Sequence, residues 1–256
     1  MDENTAAKFT RLVEVIEKLR RECPWDRQQT AGSLRQYILE ETYEVLQTID
    51  QADHDKLKGE LGDLLLQIVL QSVIAAEQNH FTLQQVIEAI TVKMIERHPH
   101  VFSNLPVNGV KDILHNWEQI KRNKERRSSL LADIPLNLPA LLRAQRLQEK
   151  AATVNFDWPD LSGVLDKVEE EIRELKQALQ QEDRANMQEE LGDIIFSLVN
   201  LARFLELSAE DALRLTNEKF IKRFQFIEEY FQQDYEKMKQ AKLAELDLIW
   251  NRSKEQ

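Results

Sequence analysis

The amino-acid sequence predicts an all-α protein made of two related helical-bundle domains in tandem, and three observations point there. Six glycines and six prolines in 256 residues fall far below the roughly thirty that average usage would supply. Hairpin-rich sheets need those residues at their turns, and no segment shows a sustained period-two alternation. The third observation is an internal repeat. Residues 40–63 read EETYEVLQTIDQADHDKLKGELGD, and residues 170–193 read EEIRELKQALQQEDRANMQEELGD. Each has Glu-Glu-x-x-Glu, then 15 residues, then Glu-Leu-Gly-Asp, at a constant offset of 130.

In chain order, helices are expected over 5–21, 33–50, 55–79, 83–97 and 110–127 in the first half. In the second half they are expected over 137–151, 162–181, 184–206, 209–233 and 241–254. Thr82-x-x-Gln85 and Ser208-x-x-Asp211 have the form of capping boxes opening the fourth and ninth of these. Pro99 to Gly109 reads as a loop, and RRSSLLADIPLNLP, with its serines and prolines, marks the join near 125–140. The division expected is a first domain over 1–127, a linker over 128–139 and a second domain over 140–256.

The net charge of −11, from 34 basic and 45 acidic residues, repels polyanions at long range, so neither a nucleic-acid polymer nor an anionic membrane is expected as a partner. The single cysteine, Cys23, provides neither an intrachain disulfide nor a zinc cluster and fits a reducing compartment. The N-terminus is acidic and lacks a hydrophobic signal region. The most apolar stretch, 64–76, is interrupted by Gln67, Gln71 and Ser72 and is too short to span a bilayer. A cytoplasmic location is expected.

Acidic runs on helices are ordinarily a wet face, and three features argue otherwise here. On the helix from Glu190, apolar residues cover nearly the whole circumference, which predicts burial. Glu190, Asp193, Ser197 and Asn200 form one narrow polar stripe, and Glu60, Asp63, Gln67 and Gln71 repeat it. Glu41 with Glu44, and Glu171 with Glu174, are i,i+3 pairs on one helix face. Antiparallel packing against the Glu-x-x-Asp helix then gathers four carboxylates, which repel unless a cation lies among them. An all-carboxylate donor set suits a hard divalent cation, Mg²⁺ or Mn²⁺. No Glu-x-x-His follows on these helices, which argues against a ferritin-like di-iron site.

Such a cation on carboxylates suggests phosphate-ester or phosphoanhydride chemistry. Each half also carries a Lys-x-x-x-Arg pair downstream, Lys93 with Arg97 and Lys219 with Arg223, able to clamp phosphates or simply to be surface charge. Trp117 with Lys121, and Trp250 with Lys254, are either core aromatics with a nearby charge or a surface for stacking a nucleobase. There is no P-loop motif, so phosphate binding would fall to metal and side chains. Water attack on a phosphoanhydride is the reaction consistent with this equipment.

The doubled EExxE–x15–ExxD pattern, with CPWD at 23–26, ERHPHVF at 96–102 and NEKF at 217–220, resembles the MazG family of nucleoside triphosphate pyrophosphohydrolases along essentially the whole chain. That resemblance implies an all-α NTP-pyrophosphohydrolase fold, a homodimer, and Mg²⁺-dependent hydrolysis of NTPs and dNTPs to the monophosphate and pyrophosphate. Broad base tolerance and a part in nucleotide-pool housekeeping are implied on the same ground. It implies metal ligation, and the catalytic role, for Glu171, Glu174, Glu190 and Asp193. A second metal site is implied at Glu41, Glu44, Glu60 and Asp63, and triphosphate contacts at Lys167, Glu170, Lys219, Arg223 and Trp250, with Lys254 beside them. The C-terminal domain is the one expected to be active. Tyr37 stands where the second half has Lys167, and Pro99 cuts short the helix that bears Arg97. The N-terminal acids are left open between metal binding, another nucleotide and assembly. A helical regulator or scaffold, binding metal or a basic partner without turnover, is the competing expectation.

Overall fold

The computed structural model describes residues 3–103, 105–107, 109, 112–113, 116–117 and 129–254. Among them there is no strand, as the scarcity of turn formers predicts. Six helices precede residue 103: α1 (Glu3–Glu22), α2 (Pro24–Gln28), α3 (Arg35–Asp50), α4 (His54–Glu77), α5 (Leu83–Arg97) and α6 (Pro99–Phe102). Six more follow residue 129: α7 (Ala140–Ala152), α8 (Leu161–Gln180), α9 (Arg184–Phe204), α10 (Ala209–Tyr230), α11 (Tyr235–Gln240) and α12 (Leu243–Arg252). Most of the helix expected over 110–127, Lys121 included, lies outside the described residues. Three short helices depart from expectation. Pro24 and Pro99 open α2 and α6, where a ring-locked φ is already helical, and Asp234 caps α11 by accepting from the Lys237 N–H.

The chain divides into two compact units, Met1–Trp117 and Glu118–Gln256. In the first, Ile16 of α1, Leu34, and Val69, Leu70 and Ile74 of α4 form a buried core, with Phe9, Leu12, Tyr37 and Leu66 packed around it. By length and composition α4 could cross a membrane, against the expectation that its apolar stretch is too short. Its apolar side chains Val69, Leu70 and Ile74 instead make this core. In the second unit the buried apolar residues are Ile134, Val164, Ala178, Val199, Ile227 and Ile249. Asp133, in the stretch expected to be linker, pairs with Lys150 of α7 at 3.4 Å.

One local device recurs and places the acids. After α3, Ala52 adopts φ 51°, and after α8 the equivalent Glu182 adopts φ 55°. The N–H of Asp53 reaches back to the Thr48 carbonyl at 3.1 Å, and that of Asp183 to the Ala178 carbonyl at 3.2 Å. Each aspartate then caps the next helix, Asp53 accepting from Lys56 N–H and Asp183 from Ala185 and Asn186 N–H. A helix, a left-handed residue and a capped helix start fold the chain back within three residues. The α3–α4 and α8–α9 pairs are thereby held antiparallel. The Thr82–Gln85 capping box forms in full, and at Ser208 the hydroxyl accepts from the Asp211 N–H at 3.2 Å.

The burial expected of α9 needs correction. Ser197 and Val199 are buried, whereas Leu191, Ile195, Phe196 and Leu198 are 43–51% exposed. On α4, Leu61 and Ile68 are likewise exposed. Within one chain each helix has neighbours on part of its circumference, so the remaining apolar positions are left uncovered.

Candidate active site

The turn after α8 brings Glu171 and Glu174 of α8 against Glu190 and Asp193 of α9. Carboxylate oxygens of Glu171, Glu190 and Asp193 lie within 4.8 Å of one another, as do those of Glu170, Glu171 and Glu174. The Glu190 carboxyl is pushed up from its ordinary range by desolvation first, then by the negative charges of Glu174, Glu171 and Asp193. All four predicted acids of this half therefore converge. Glu171 is the deepest, at 4% exposure.

The first unit repeats the arrangement. Glu41, Glu60 and Asp63 have oxygens within 4.8 Å of one another. Desolvation and the charges of Asp63, Glu44 and Glu60 raise the Glu41 carboxyl. Glu60 is raised by desolvation and by a hydrogen bond with Glu44, which brings the fourth acid in.

The two clusters differ in their counter-charge. The Lys167 ammonium donates to Glu170 Oε1 and to Glu171 Oε1, each at 2.7 Å. Its pKa is raised, chiefly by the Glu170 bond and next by the Glu171 bond, while Glu170 is correspondingly lowered. In the first unit Tyr37 occupies that position and turns into the apolar core, edge-on to Trp25 at 5.8 Å.

A cavity of about 800 Å³ opens beside the second cluster, with Lys167, Glu171 and Asp193 at one part of its wall. That size falls within the range of small-molecule sites. Lys219, Arg223, Trp250 and Lys254 are not among the residues that line it. Lys219 and Arg223 lie on α10 and Trp250 on α12, and the packing of α10 on α12 holds them together. The Arg223 guanidinium lies 5.6 Å from the Trp250 ring centre, Phe220 is 5.3 Å from the same ring, and Lys254 donates to Asn251 Oδ1 at 2.7 Å. Other lining residues carried no assignment in the sequence, notably Gln148, Phe156, Trp158 and Arg203. Asn200 was visible as part of the α9 polar stripe.

Fold and site together define a class: all-α proteins that gather a four-carboxylate centre, able to hold a metal ion, from an antiparallel helix pair. Residues 29–102 and 161–226, one stretch in each unit, match the family model described as the MazG nucleotide pyrophosphohydrolase domain. The chain belongs to the MazG family. It is 43% identical over 250 residues to the nucleoside triphosphate pyrophosphohydrolase/pyrophosphatase MazG of Thermotoga maritima, covering 96% of this chain and 95% of that protein. It is 42% identical over 257 residues to the nucleoside triphosphate pyrophosphohydrolase of Escherichia coli K12, covering 97% and 98%. The crystal structure of a mazG-related protein from Thermotoga maritima aligns with a TM-score of 0.40 at 26% identity, over 44% of this chain and 98% of that one. Membership in a family of hydrolases sets the scaffold reading aside.

Proposed function

We propose that the chain is a Mg²⁺-dependent nucleoside triphosphate pyrophosphohydrolase of broad base tolerance. It would convert NTPs and dNTPs to the monophosphate and pyrophosphate in its C-terminal unit. The observation that carries this reading is the convergence of Glu171, Glu174, Glu190 and Asp193, with Lys167 bonded to Glu171, at a cavity of nucleotide size. The names of the Thermotoga and Escherichia relatives agree with it.

The donor set fits the cation. Every candidate ligand is a carboxylate oxygen, the type preferred by Mg²⁺ and Mn²⁺, and a cation would offset the repulsion among acids gathered within 4.8 Å. When bound, the cation supplies positive charge to a triphosphate that the acids alone would repel. Lys167, no longer needed by Glu171, turns to the phosphates, and Glu170 remains as its anchor. A carboxylate of the cluster accepts the hydrogen bond of the attacking water and then its proton.

The proposal includes a homodimer. Ile172 and Leu179 on α8, with Leu191, Ile195 and Leu198 on α9, stay well exposed in the single chain, and a second copy would bury them in a four-helix arrangement. Lys219, Arg223, Trp250 and Lys254 would meet the triphosphate through that assembly. We place the working domain over 140–256, after a linker over 128–139, and give the first domain, 1–127, a metal-binding role. The cytoplasm is the proposed location.

Glu171→Ala and Asp193→Ala test the reading. Each should abolish NTP turnover while far-ultraviolet circular dichroism stays helical, and chelation of the wild type should do the same until Mg²⁺ is restored. Turnover that survives both substitutions would move the site elsewhere.

A further inference from the structure

Residues 129–138, which lead into α7, read SLLADIPLNL and include four leucines and an isoleucine. A connection left in water has no use for so much apolar surface, and this one is folded. The Leu131 N–H donates to Ser129 Oγ at 3.2 Å, the Ala132 N–H to the Ser129 carbonyl at 3.4 Å, and the Ile134 N–H to the Leu131 carbonyl at 3.3 Å. These bonds close a turn with two outlets. Ile134 is buried among the apolar residues of the second unit, and Leu131 lines the cavity beside the acids.

The turn is fastened to α7. Asp133 Oδ2 lies 3.4 Å from the Lys150 ammonium, whose side chain is only 13% exposed, so salt screens this pair less than a surface one. On the same helix Leu147 and Gln148 line the cavity. Gln148 is buried, and its Nε2 donates at 2.9 Å to the carbonyl of Phe196, three residues beyond Asp193 on α9. Contacts therefore run from the turn through α7 to the helix that bears the acids. A separate clamp fixes another part of the wall, where Arg203 donates to both carboxylate oxygens of Asp157, one at 2.9 Å. The first unit uses the equivalent cation otherwise. At the offset of 130, Lys150 corresponds to Arg20, whose guanidinium bonds Glu77 and the carbonyls of Asp26 and Gln29.

We propose that residues 129–138 are a working wall of the active site and not a passive linker, with Leu131 touching the bound substrate and the Asp133–Lys150 pair holding Leu131 in place. The proposal rests on the pyrophosphohydrolase reading, which puts the substrate in this cavity, and it adds to the catalytic unit the segment that precedes α7. Asp133 and Lys150 are positioning residues, since neither is among the residues that line the cavity. The chain from the first unit enters the second through this segment. A pull on it displaces Leu131 and weakens substrate binding, while Glu171, Glu174, Glu190 and Asp193 keep their places on α8 and α9.

Two experiments on the full chain decide it. Hydrogen exchange of the amides of residues 130–138 should slow when wild-type protein binds α,β-methylene-ATP with Mg²⁺, an analogue that resists cleavage between those phosphates. Pyrophosphate with Mg²⁺, which occupies only the acids, should leave that exchange unchanged. Exchange that the analogue does not slow, or that pyrophosphate slows equally, would overturn the proposal. In the kinetic experiment Leu131→Ala and Asp133→Asn should each raise the KM for NTPs about fivefold, with kcat within about twofold of wild type. Exchanging the pair, Asp133→Lys with Lys150→Asp, should bring KM back. An unchanged KM, a kcat that falls together with the melting temperature, or a KM that the exchanged pair leaves raised would overturn the positioning role. Either result, obtained with a wild type that hydrolyses NTPs, leaves the pyrophosphohydrolase reading intact. An inactive wild type would sink that reading, and the exchange of residues 130–138 would still report whether a nucleotide meets this wall.

Discussion

Replacing Lys167 with Met should destabilise α8 without metal and do so far less with it. The Lys167 ammonium bonds both Glu170 and Glu171 at 2.7 Å. Glu171 is almost wholly buried, and its arm carries the effect. A hydrogen bond to a charged group contributes about 1.5–3 kcal/mol. Lys167 is itself 35% exposed, so water screens part of this, and about 2 kcal/mol is the expected loss. A cation bound at 100 times its Kd stabilises by about 2.7 kcal/mol. In the wild type it must displace Lys167 from Glu171, and in the variant it fills a gap, so the variant gains more. Hydrogen exchange of the α8 amides reads this unit separately from the first. Without metal, exchange in α8 should be about thirtyfold faster in the variant, the rate equivalent of that loss. Saturating Mg²⁺ should close most of the difference. Unchanged α8 exchange, or a gap that Mg²⁺ leaves intact, would refute the idea that Lys167 holds the place of a cation.

Other consequences are open to direct test. Ala52→Gly and Glu182→Gly should each stabilise their unit by up to about 1 kcal/mol in urea titrations, because glycine removes the cost of a left-handed conformation. Destabilisation would mean that these side chains make contacts worth more than the strain. Glu77 is held below the usual carboxylate range by the Arg20 guanidinium, which donates to it at 2.8–3.1 Å. The pair therefore stabilises the first unit fully above the unfolded carboxylate pKa of about 4.3, and the contribution is lost as pH falls through the lower folded value. In the half-exposed Glu77→Gln variant that acid-side loss should shrink, at a cost near neutral pH of about 1 kcal/mol. An unaltered pH profile would refute the linkage. Ile195→Asp, on the exposed apolar face of α9, should shift sedimentation from dimer to monomer, and a wild type that sediments as a monomer at micromolar concentration would end the dimer proposal.

The repeat made the acids legible, because Glu-x-x-Glu and Glu-x-x-Asp carry their helix face in their spacing. The reverse turn between them was readable in part: Asp53 and Asp183 are capping residues, but nothing about Ala52 or Glu182 announces a positive φ. The α9 pattern foretold an apolar circumference yet could not say which face a neighbouring helix in the same chain would cover. The spacing put Lys219 and Arg223 on one helix face, and it could not show that Arg223 lies over Trp250. That contact depends on how α10 packs against α12, which no local pattern encodes. Arg203 and Asp157 are 46 residues apart, and the clamp between them follows from tertiary structure alone. Gln148 looked like any polar position on an amphipathic helix, and only its burial marks it.

Product identity tests the central claim most directly. Wild-type protein incubated with a panel of NTPs and dNTPs in Mg²⁺ should release the nucleoside monophosphate and pyrophosphate in equal amounts, and Glu171→Ala protein should release neither. Nucleoside diphosphate with orthophosphate would contradict the account.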